Sequence, residues 1–301
     1  MQVGYHSKAK DWLLHAWLDV CVKVKKKGTL RDTILIDLYA GDGVNATTLP
    51  DGTRETWPGS SVRMADAASQ DPHKRTMVII NEKDRNNYNA VMERLDSNRD
   101  VILASYNRDA KEILPTILSQ LDAHDHNFFF VDPYSHSEAD VNLLRSIGLL
   151  SEEDRYKGKP IARRPEILYT FMTSGLQQSM AEQAQKSIDR FYEGGASWRE
   201  EVDGAQGMGY PVYDGFLVAL LKSVADLYPI PSHNVFEVKS PHGTVVYFLV
   251  FWATHPLAQK IFPEVASYAY VHRNEDVIKR WVEIDRRVKA LGKKGRRIND
   301  W

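Results

Sequence analysis

The sequence has almost no cysteine and no long apolar run, and each shortage excludes a class of protein. Cys21 is the only cysteine, so no internal disulfide can form, and no cysteine and histidine set has the spacing of a structural zinc site. We therefore expect a protein of the reducing cytoplasm with no metal. The longest apolar run, residues 245–253, is far shorter than the roughly 20 residues that cross a bilayer, so no membrane segment is expected.

Net charge is also nearly absent, which removes one indicator of nucleic-acid binding. The chain has 39 Lys and Arg against 40 Asp and Glu, a formal charge of −1, so any basic surface must be local. The hydrophobic fraction of 43% and the charged fraction of 26% exclude disorder. Because no repeat or linker is visible, residues 1–301 are predicted to form a single domain.

Short apolar runs alternate with amphipathic segments along most of the chain. This alternation is typical of βαβ units, so we predict an α/β fold with a mainly parallel, doubly wound sheet. The predicted strands are 33–38, 76–80, 101–103, 127–131 and 166–172, and the predicted helices between them are 85–96, 109–121 and 137–148. Residues 234–239 and 244–253 are predicted to add an antiparallel hairpin at the edge of the sheet.

Four further segments lie outside this alternation. An N-terminal helix is predicted within residues 1–30, with its apolar stripe over 8–27. Residues 47–61 form an insertion loop, and residues 175–210 are interpreted as a helical insertion or lid. Residues 276–301 are predicted to form a C-terminal helix with a basic tail.

The first strand ends in a glycine-rich turn, Asp37 to Gly43, that fits two kinds of ligand. Gly41 and Gly43, followed by Ala46, match a dinucleotide fingerprint, in which a pyrophosphate lies on the loop. Acidic side chains beside the glycines would repel that anion. S-adenosylmethionine (SAM) has no phosphate and carries a sulfonium and an ammonium group. The acidic turn therefore favours SAM.

The next two strands also end in acidic residues. Glu82 follows the second strand, where a carboxylate accepts ribose hydroxyls in dinucleotide folds, although the distance along the chain is lengthened by the insertion at 47–61. Asp109 follows the third strand and is positioned to accept the adenine amino group. The alternative for Asp109 is a helix N-cap, and both roles are compatible.

The fourth strand ends in Asp132, Pro133 and Tyr134, at the sheet edge where α/β proteins keep their chemistry. A carboxylate and the following backbone carbonyl can accept both hydrogens of an exocyclic amino group, and the tyrosine can stack on a base. The alternative is a simple turn, because Asp-Pro sequences often end strands.

Taken in order, these motifs resemble the three-Cys-motif partner (TcmP) proteins over roughly residues 6–265. The resemblance rests on Asp37 to Gly43, Pro58-Gly59-Ser60, Glu82-Lys83-Asp84, Asn107-Arg108-Asp109-Ala110, Phe130 to Tyr134, the opening His6 to Lys10, and the late Val246 to Phe251 with Thr254-His255-Pro256. It implies a Rossmann-like methyltransferase fold that uses SAM. It also implies a partner protein with three cysteines, similar to radical-SAM enzymes, which agrees with the single cysteine here.

Candidate site residues follow from these motifs. The predicted cofactor-binding residues are Asp37, Tyr39, Ala40, Gly41, Gly43, Glu82, Lys83, Asn107, Asp109 and Ala110. The predicted catalytic residues are Asp132, Pro133 and Tyr134, and the predicted substrate-binding residues are Lys10, Gly59 and Ser60.

A wider similarity links the chain to adenine-N6 methyltransferases of ribosomal RNA, which have two prolines where this chain has Pro133 alone. The leading hypothesis is a SAM-dependent methyltransferase acting on an amino group of RNA, DNA or a nucleobase. A non-catalytic subunit of a three-cysteine protein is the second hypothesis. A nicotinamide oxidoreductase is the third, and it depends only on the glycine pattern.

Overall fold

The computed structural model describes a chain organised around one central sheet. It covers residues 7–25, 31–48, 54–156, 158–173, 176, 180, 185–229, 232–239 and 245–271. None of the helices within these residues combines the length and apolar character that a membrane crossing requires.

Strands and helices alternate along the described chain. The strands are β1 (Thr33–Asp37), β2 (Val44–Thr48), β3 (Arg54–Pro58), β4 (Thr76–Asn81), β5 (Ile102–Tyr106), β6 (His126–Val131), β7 (Glu152–Tyr156), β8 (Lys159–Arg163), β9 (Glu166–Phe171), β10 (His233–Lys239) and β11 (Val245–Trp252). The helices are α1 (Ser7–Lys25), α2 (Ser60–Ser69), α3 (Arg85–Arg94), α4 (Ala110–Gln120), α5 (Val141–Leu149), α6 (Gln185–Phe191), α7 (Trp198–Gly207), α8 (Val212–Ser223) and α9 (Pro256–Val271).

The central sheet has the order β10-β11-β9-β6-β1-β4-β5. Its inner strands pair in parallel, whereas β11 is antiparallel to both β9 and β10. The predicted fold class is therefore confirmed, including the antiparallel hairpin at the edge of a Rossmann-like sheet. Asp37 lies level with Ile80 and Phe130 of the neighbouring strands, so the loops after these strands meet at one edge, here called the carboxyl edge. The opposite side of the sheet is called the amino edge.

Apolar side chains cover both faces of the sheet, as the near-continuous apolar strands require. On one face Leu13 and Trp17 of α1 pack with Phe128 of β6, and Phe262 of α9 joins the same cluster. Helices α4, α5 and α8 cover the other face. The helix α1 is thus fixed against the sheet by buried side chains, each contributing about 1.5–3 kcal/mol.

Several elements differ from the sequence prediction. The third strand begins at Ile102 because Asp96–Val101 forms a short 3₁₀ helix. The hairpin β7–β8 was not predicted, since its strands are dense in charge and show no apolar alternation. The helix α8 was not predicted either. It is buried on nearly every side and therefore lacks an amphipathic stripe.

The additional segments have definite structure where they are described. Within the predicted insertion at 47–61, residues 47–48 and 54–58 belong to a two-stranded hairpin, because β2 pairs with β3. Within 175–210, α6 and α7 contribute Phe191 and Trp198 to the core. The predicted C-terminal helix and tail at 276–301 lie outside the described residues.

Candidate functional site

Two neighbouring cavities open at the carboxyl edge. The first, the loop cavity, has a volume of about 210 Å³ and is lined by residues that include Gly41, Gly43 and Asp132. The second, the strand-end cavity, has a volume of about 680 Å³ and is lined by residues that include Glu82 and Asp109. Tyr39 and Tyr134 line both cavities, so the two spaces are adjacent.

The glycine loop lines the loop cavity, and its backbone depends on glycine at two positions. Gly41 and Gly43 have φ values of +62° and +78°, a region that side chains disfavour. A Cβ on Gly43 would lie 3.0 Å from Arg94 Cδ and 3.1 Å from Val91 Cγ2. The segment after Gly43 forms β2 instead of a helix. The dinucleotide fingerprint needs a helix N-terminus at this point, so the nicotinamide hypothesis loses its structural premise.

Asp37 lies beneath this loop and lines neither cavity. Its carboxylate accepts hydrogen bonds from Ser61 Oγ at 2.7 Å and from Tyr39 N at 3.2 Å. The side chain is fully buried, and loss of solvation raises its pKa from 3.8 to about 6 despite these hydrogen bonds. Asp37 therefore holds the start of the glycine loop in place through its hydrogen bonds from Tyr39 N and Ser61 Oγ.

Glu82 joins the glycine loop to the end of β4. One carboxylate oxygen accepts a hydrogen bond from Gly41 N at 2.7 Å, and the other accepts one from Asp84 N at 2.8 Å. Burial raises the pKa of this carboxyl. Asn107 does not line either cavity; its side chain donates to the backbone carbonyls of Glu82 and Lys83 and so fixes this turn.

Asp109 is a helix N-cap, which is one of the two roles predicted from the sequence, and it also lines the strand-end cavity. It is the N-cap of α4, with one oxygen accepting from Lys111 N at 3.0 Å. Its other oxygen pairs with Lys83 Nζ at 2.8 Å. Partial burial acts to raise the pKa of Asp109, but the hydrogen bonds from Lys83 and Lys111 N and the charges of both lysines together outweigh it, so the net pKa is lowered. The carboxylate therefore keeps its negative charge at the cavity wall.

Lys10 of α1 forms an ion pair with the Asp132 carboxylate inside the loop cavity. The two side chains are 12% and 19% exposed. Burial acts to lower the pKa of Lys10, but Asp132 and Asp11 reverse this and the net pKa is raised. Lys10 thus remains a cation and cannot accept a proton near neutral pH. Its ammonium group lies 5.9 Å from the centre of the Tyr247 ring.

Tyr134 is the most exposed aromatic side chain of this site. It is 48% exposed, and its backbone N–H donates to Glu138 Oε2 at 2.8 Å. Partial burial raises the pKa of its hydroxyl to about 12, so the ring is uncharged. A half-exposed aromatic ring at the mouth of a cavity offers a flat surface to a planar ligand.

The β2–β3 hairpin holds the start of α1 against the site. Asp11 accepts hydrogen bonds from Asn45 Nδ2 at 3.1 Å and from the Trp57 indole. Lys8 pairs with Glu55 of β3. The insertion therefore positions the helix that carries Lys10.

Most of the predicted site residues line one of the cavities. The loop cavity contains Lys10, Tyr39, Ala40, Gly41, Gly43, Gly59, Ser60, Asp132, Pro133 and Tyr134, and the strand-end cavity contains Glu82, Lys83, Asp109 and Ala110. Sequence reasoning missed further lining residues. Thr170 and Met172 close β9 at the same edge and follow the strand-end rule, whereas Tyr247 enters only through the pairing of β11 with β9.

Comparison with known proteins finds similarity of structure only. No family model matches the chain, and no curated protein matches its sequence. Protein LPL1258 from Legionella pneumophila aligns with a TM-score of 0.44 at 9% identity, over 86% of this chain and 91% of that one. The O-methyltransferase TomG from Streptomyces achromogenes, in complex with SAM, aligns with a TM-score of 0.41 at 14% identity, over 80% and 79%.

A third structure has a similar score. The O-methyltransferase from Bacillus cereus, in complex with S-adenosylhomocysteine, aligns with a TM-score of 0.41 at 11% identity, over 79% of this chain and 80% of that one. Since no family model matches, the resemblance to TcmP proteins and to ribosomal RNA methyltransferases stays a prediction.

Proposed function

We propose that the protein is a SAM-dependent methyltransferase that acts on an amino group of RNA, DNA or a nucleobase. The observation that carries this proposal is the adjacency of two different cavities at one sheet edge. One has acidic walls suited to a nucleoside, and the other holds Asp132, Pro133 and Tyr134. Tyr39 and Tyr134 lie where the two cavities meet.

The strand-end cavity would hold the adenosine part of SAM. Each carboxylate oxygen has two lone pairs, so Glu82 can accept ribose hydroxyls in addition to its bonds from Gly41 N and Asp84 N. Asp109 would accept the adenine amino group. The negative potential of these carboxylates favours a ligand with cationic groups over a pyrophosphate.

The loop cavity would hold the methionine part and the acceptor. When bound, SAM would supply a methyl group bonded to a positively charged sulfur, and that sulfur would be the leaving group when a nucleophile attacks the methyl carbon. Asp132 and the backbone carbonyl of Pro133 would accept the two hydrogens of an amino group and aim its lone pair. Tyr134 would stack on the base. Positioning of this kind contributes roughly 7–11 kcal/mol to a reaction barrier.

Lys10 would act as a positioning residue for Asp132. Its ion pair uses Asp132 Oδ2, so we assign Oδ1 to the acceptor amino group. Because Lys10 stays protonated, the proton released from the methylated nitrogen would pass to Asp132 or to solvent. The ion pair would also fix the orientation of the Asp132 carboxylate toward the acceptor.

The same ion pair favours a second candidate function. If Lys10 keeps Asp132 occupied, the acceptor cannot bind, and the chain would serve as a SAM-binding subunit for a partner such as a three-cysteine protein. Copurification with such a partner, without methyl transfer, would support this alternative.

The test of the proposal combines cofactor binding with transfer. Calorimetry with SAM should show binding at one site, whereas nicotinamide dinucleotides should give no heat. Labelled SAM should then transfer its methyl group to RNA or DNA, with the label recovered as a methylated base. Failure to bind SAM refutes both candidate functions. Binding without transfer to any nucleic acid refutes the enzyme and leaves the subunit.

A further inference from the structure

Three side chains of metal-binding type converge at the amino edge, on the side of the sheet opposite to the cavities. They are Cys21 of α1, His126 of β6 and Glu166 of β9. One ligand atom from each lies within 4.8 Å of the other two. Cys21 and Glu166 are buried and His126 is partly buried.

The packing of α1 explains why these residues meet. Lys10 pairs with Asp132 at the carboxyl end of β6, and Cys21 lies beside His126 at its amino end. The helix between Lys10 and Cys21 rises about 16 Å at 1.5 Å per residue, and β6 spans a comparable length. The helix therefore runs antiparallel to β6, and both ends are placed by the same buried face.

The contact between His126 and Glu166 does not have the geometry of a hydrogen bond. Glu166 Oε2 lies 2.9 Å from His126 Nε2, yet among the described residues this buried oxygen has no aligned hydrogen-bond donor. An imidazole nitrogen and a carboxylate oxygen that approach each other without an N–H pointing between them are arranged as two ligands of one ion are.

We propose that Cys21, His126 and Glu166 bind a zinc ion. Thiolate, imidazole and carboxylate are all zinc ligands, and ligand atoms at 2.0–2.3 Å from the metal lie about 3.5 Å apart in a tetrahedral site. Adjustments of about 1 Å would bring the present separations, which run from 2.9 Å to at most 4.8 Å, to this value. With a thiolate, a neutral imidazole and a carboxylate, the divalent ion gives a site of zero net charge, as burial requires.

The surroundings allow a fourth ligand, and two of the four arginines that line them are paired with acidic groups. A cavity of about 310 Å³ adjoins the three residues, so a water molecule can complete the tetrahedron. Arg31 and Arg163 line this cavity, but both lie against acidic groups of β7. Arg31 bonds to Glu152 at 2.6 Å, and Arg163 lies 3.7 Å from Asp154. The sequence prediction of no metal considered only closely spaced cysteines and histidines, whereas these ligands come from three distant elements.

The test uses the full chain without SAM, so its outcome is independent of the proposed methyl transfer. Purified protein should bind one equivalent of Zn²⁺, measured by elemental mass spectrometry after dialysis. Reconstitution with Co²⁺ should give a thiolate-to-cobalt charge-transfer band in the near ultraviolet. Because Cys21 is the only cysteine, that band can arise at no other residue.

Variants then identify the other ligands. Cys21→Ser should abolish the band, and His126→Ala or Glu166→Gln should weaken zinc binding by at least about 100-fold, the upper range for loss of a supporting residue. His15→Ala, an exposed histidine of the same helix, should change nothing. Absence of stoichiometric zinc or of the cobalt–thiolate band in the wild type overturns the proposal, whether or not the variants fold. Full zinc binding by folded His126→Ala also overturns it.

Discussion

Two carboxylates at each edge of the central sheet are stabilised in different ways. At the carboxyl edge, Asp37 and Glu82 accept hydrogen bonds from neutral donors, a serine hydroxyl and backbone N–H groups. At the amino edge, Glu152 and Asp154 lie against the guanidinium groups of Arg31 and Arg163. Neutral donors stabilise a carboxylate without cancelling its charge, whereas a guanidinium cancels it.

This difference indicates which edge attracts a cationic ligand. At the carboxyl edge, Asp37 and Glu82 form no ion pair among the described residues, and burial raises the pKa of both. A bound sulfonium or ammonium would supply the opposite charge that these groups lack. The amino edge is already balanced by its arginines, so we expect it to contribute to stability and not to SAM binding.

The largest expected effect comes from removing Asp132. Asp132→Ala should reduce methyl transfer by about 100- to 1,000-fold, the range for loss of one preorganised polar group, while leaving SAM affinity nearly unchanged. Asp154→Ala, the matched change at the amino edge, should leave the turnover of the folded protein unaltered. Rates with labelled SAM and calorimetry separate the two steps. Equal losses in both variants would remove the functional distinction between the edges.

Replacing Asp37 should have a comparably large effect on the free energy of unfolding. Its folded-state pKa of about 6 exceeds the ordinary 3.8, so folding favours the protonated form, and the stability it contributes at low pH is lost as pH rises through about 6. The difference corresponds to about 3 kcal/mol at most. Asp37→Asn, which has no such titration, should therefore gain stability relative to wild type between about pH 4 and pH 7.

Urea unfolding at several pH values measures this change. Asp226 provides a control of opposite sign, because its bond to Arg145 lowers its pKa. Asp226→Asn should lose stability relative to wild type as pH rises, by a small amount since the side chain is 58% exposed. If the difference in the free energy of unfolding between wild type and Asp37→Asn did not change with pH, it would contradict the burial of a charged carboxylate beneath the loop.

Much of the carboxyl edge is predictable from the sequence because its residues follow apolar strands directly. Glu82, Asp109 and Asp132 each stand one to three residues after such a run, and the parallel pairing brings these positions to one edge. Local order along the chain is sufficient here. The direction of each side chain is not predictable in this way, and Asp37 points beneath the loop instead of into a cavity.

Contacts between distant elements were beyond sequence reasoning. Lys10 and Asp132 are 122 residues apart, and their pairing depends on the packing angle of α1 across the sheet. The hairpin β2–β3 pairs two short, mostly polar strands that show no apolar alternation to detect. The convergence of Cys21, His126 and Glu166 has the same origin.

Glu82 should have a moderate effect on cofactor affinity. Glu82→Gln keeps the shape of the side chain but removes its charge. A hydrogen bond to a charged group is worth about 1.5–3 kcal/mol, so the variant should bind SAM about 10- to 100-fold more weakly. Glu93→Gln makes the same change at an exposed position of α3 and should leave affinity unaltered. Calorimetry decides the matter, and unchanged affinity in Glu82→Gln would exclude a ribose contact.

The smallest effect distinguishes two aspartates with nearly the same local environment. Asp109 and Asp140 are both helix N-caps, and in each the second carboxylate oxygen pairs with a lysine. Only Asp109 lines the strand-end cavity. Because asparagine caps helices as well as aspartate does, both Asp→Asn variants should unfold within about 0.5 kcal/mol of wild type. Asp109→Asn should nevertheless bind SAM about threefold more weakly, while Asp140→Asn should bind it as wild type does, since its capping and ion pairing have no ligand beside them. Equal affinities in the two variants would mean that Asp109 is a cap alone, and the negative wall of the strand-end cavity would then depend on Glu82.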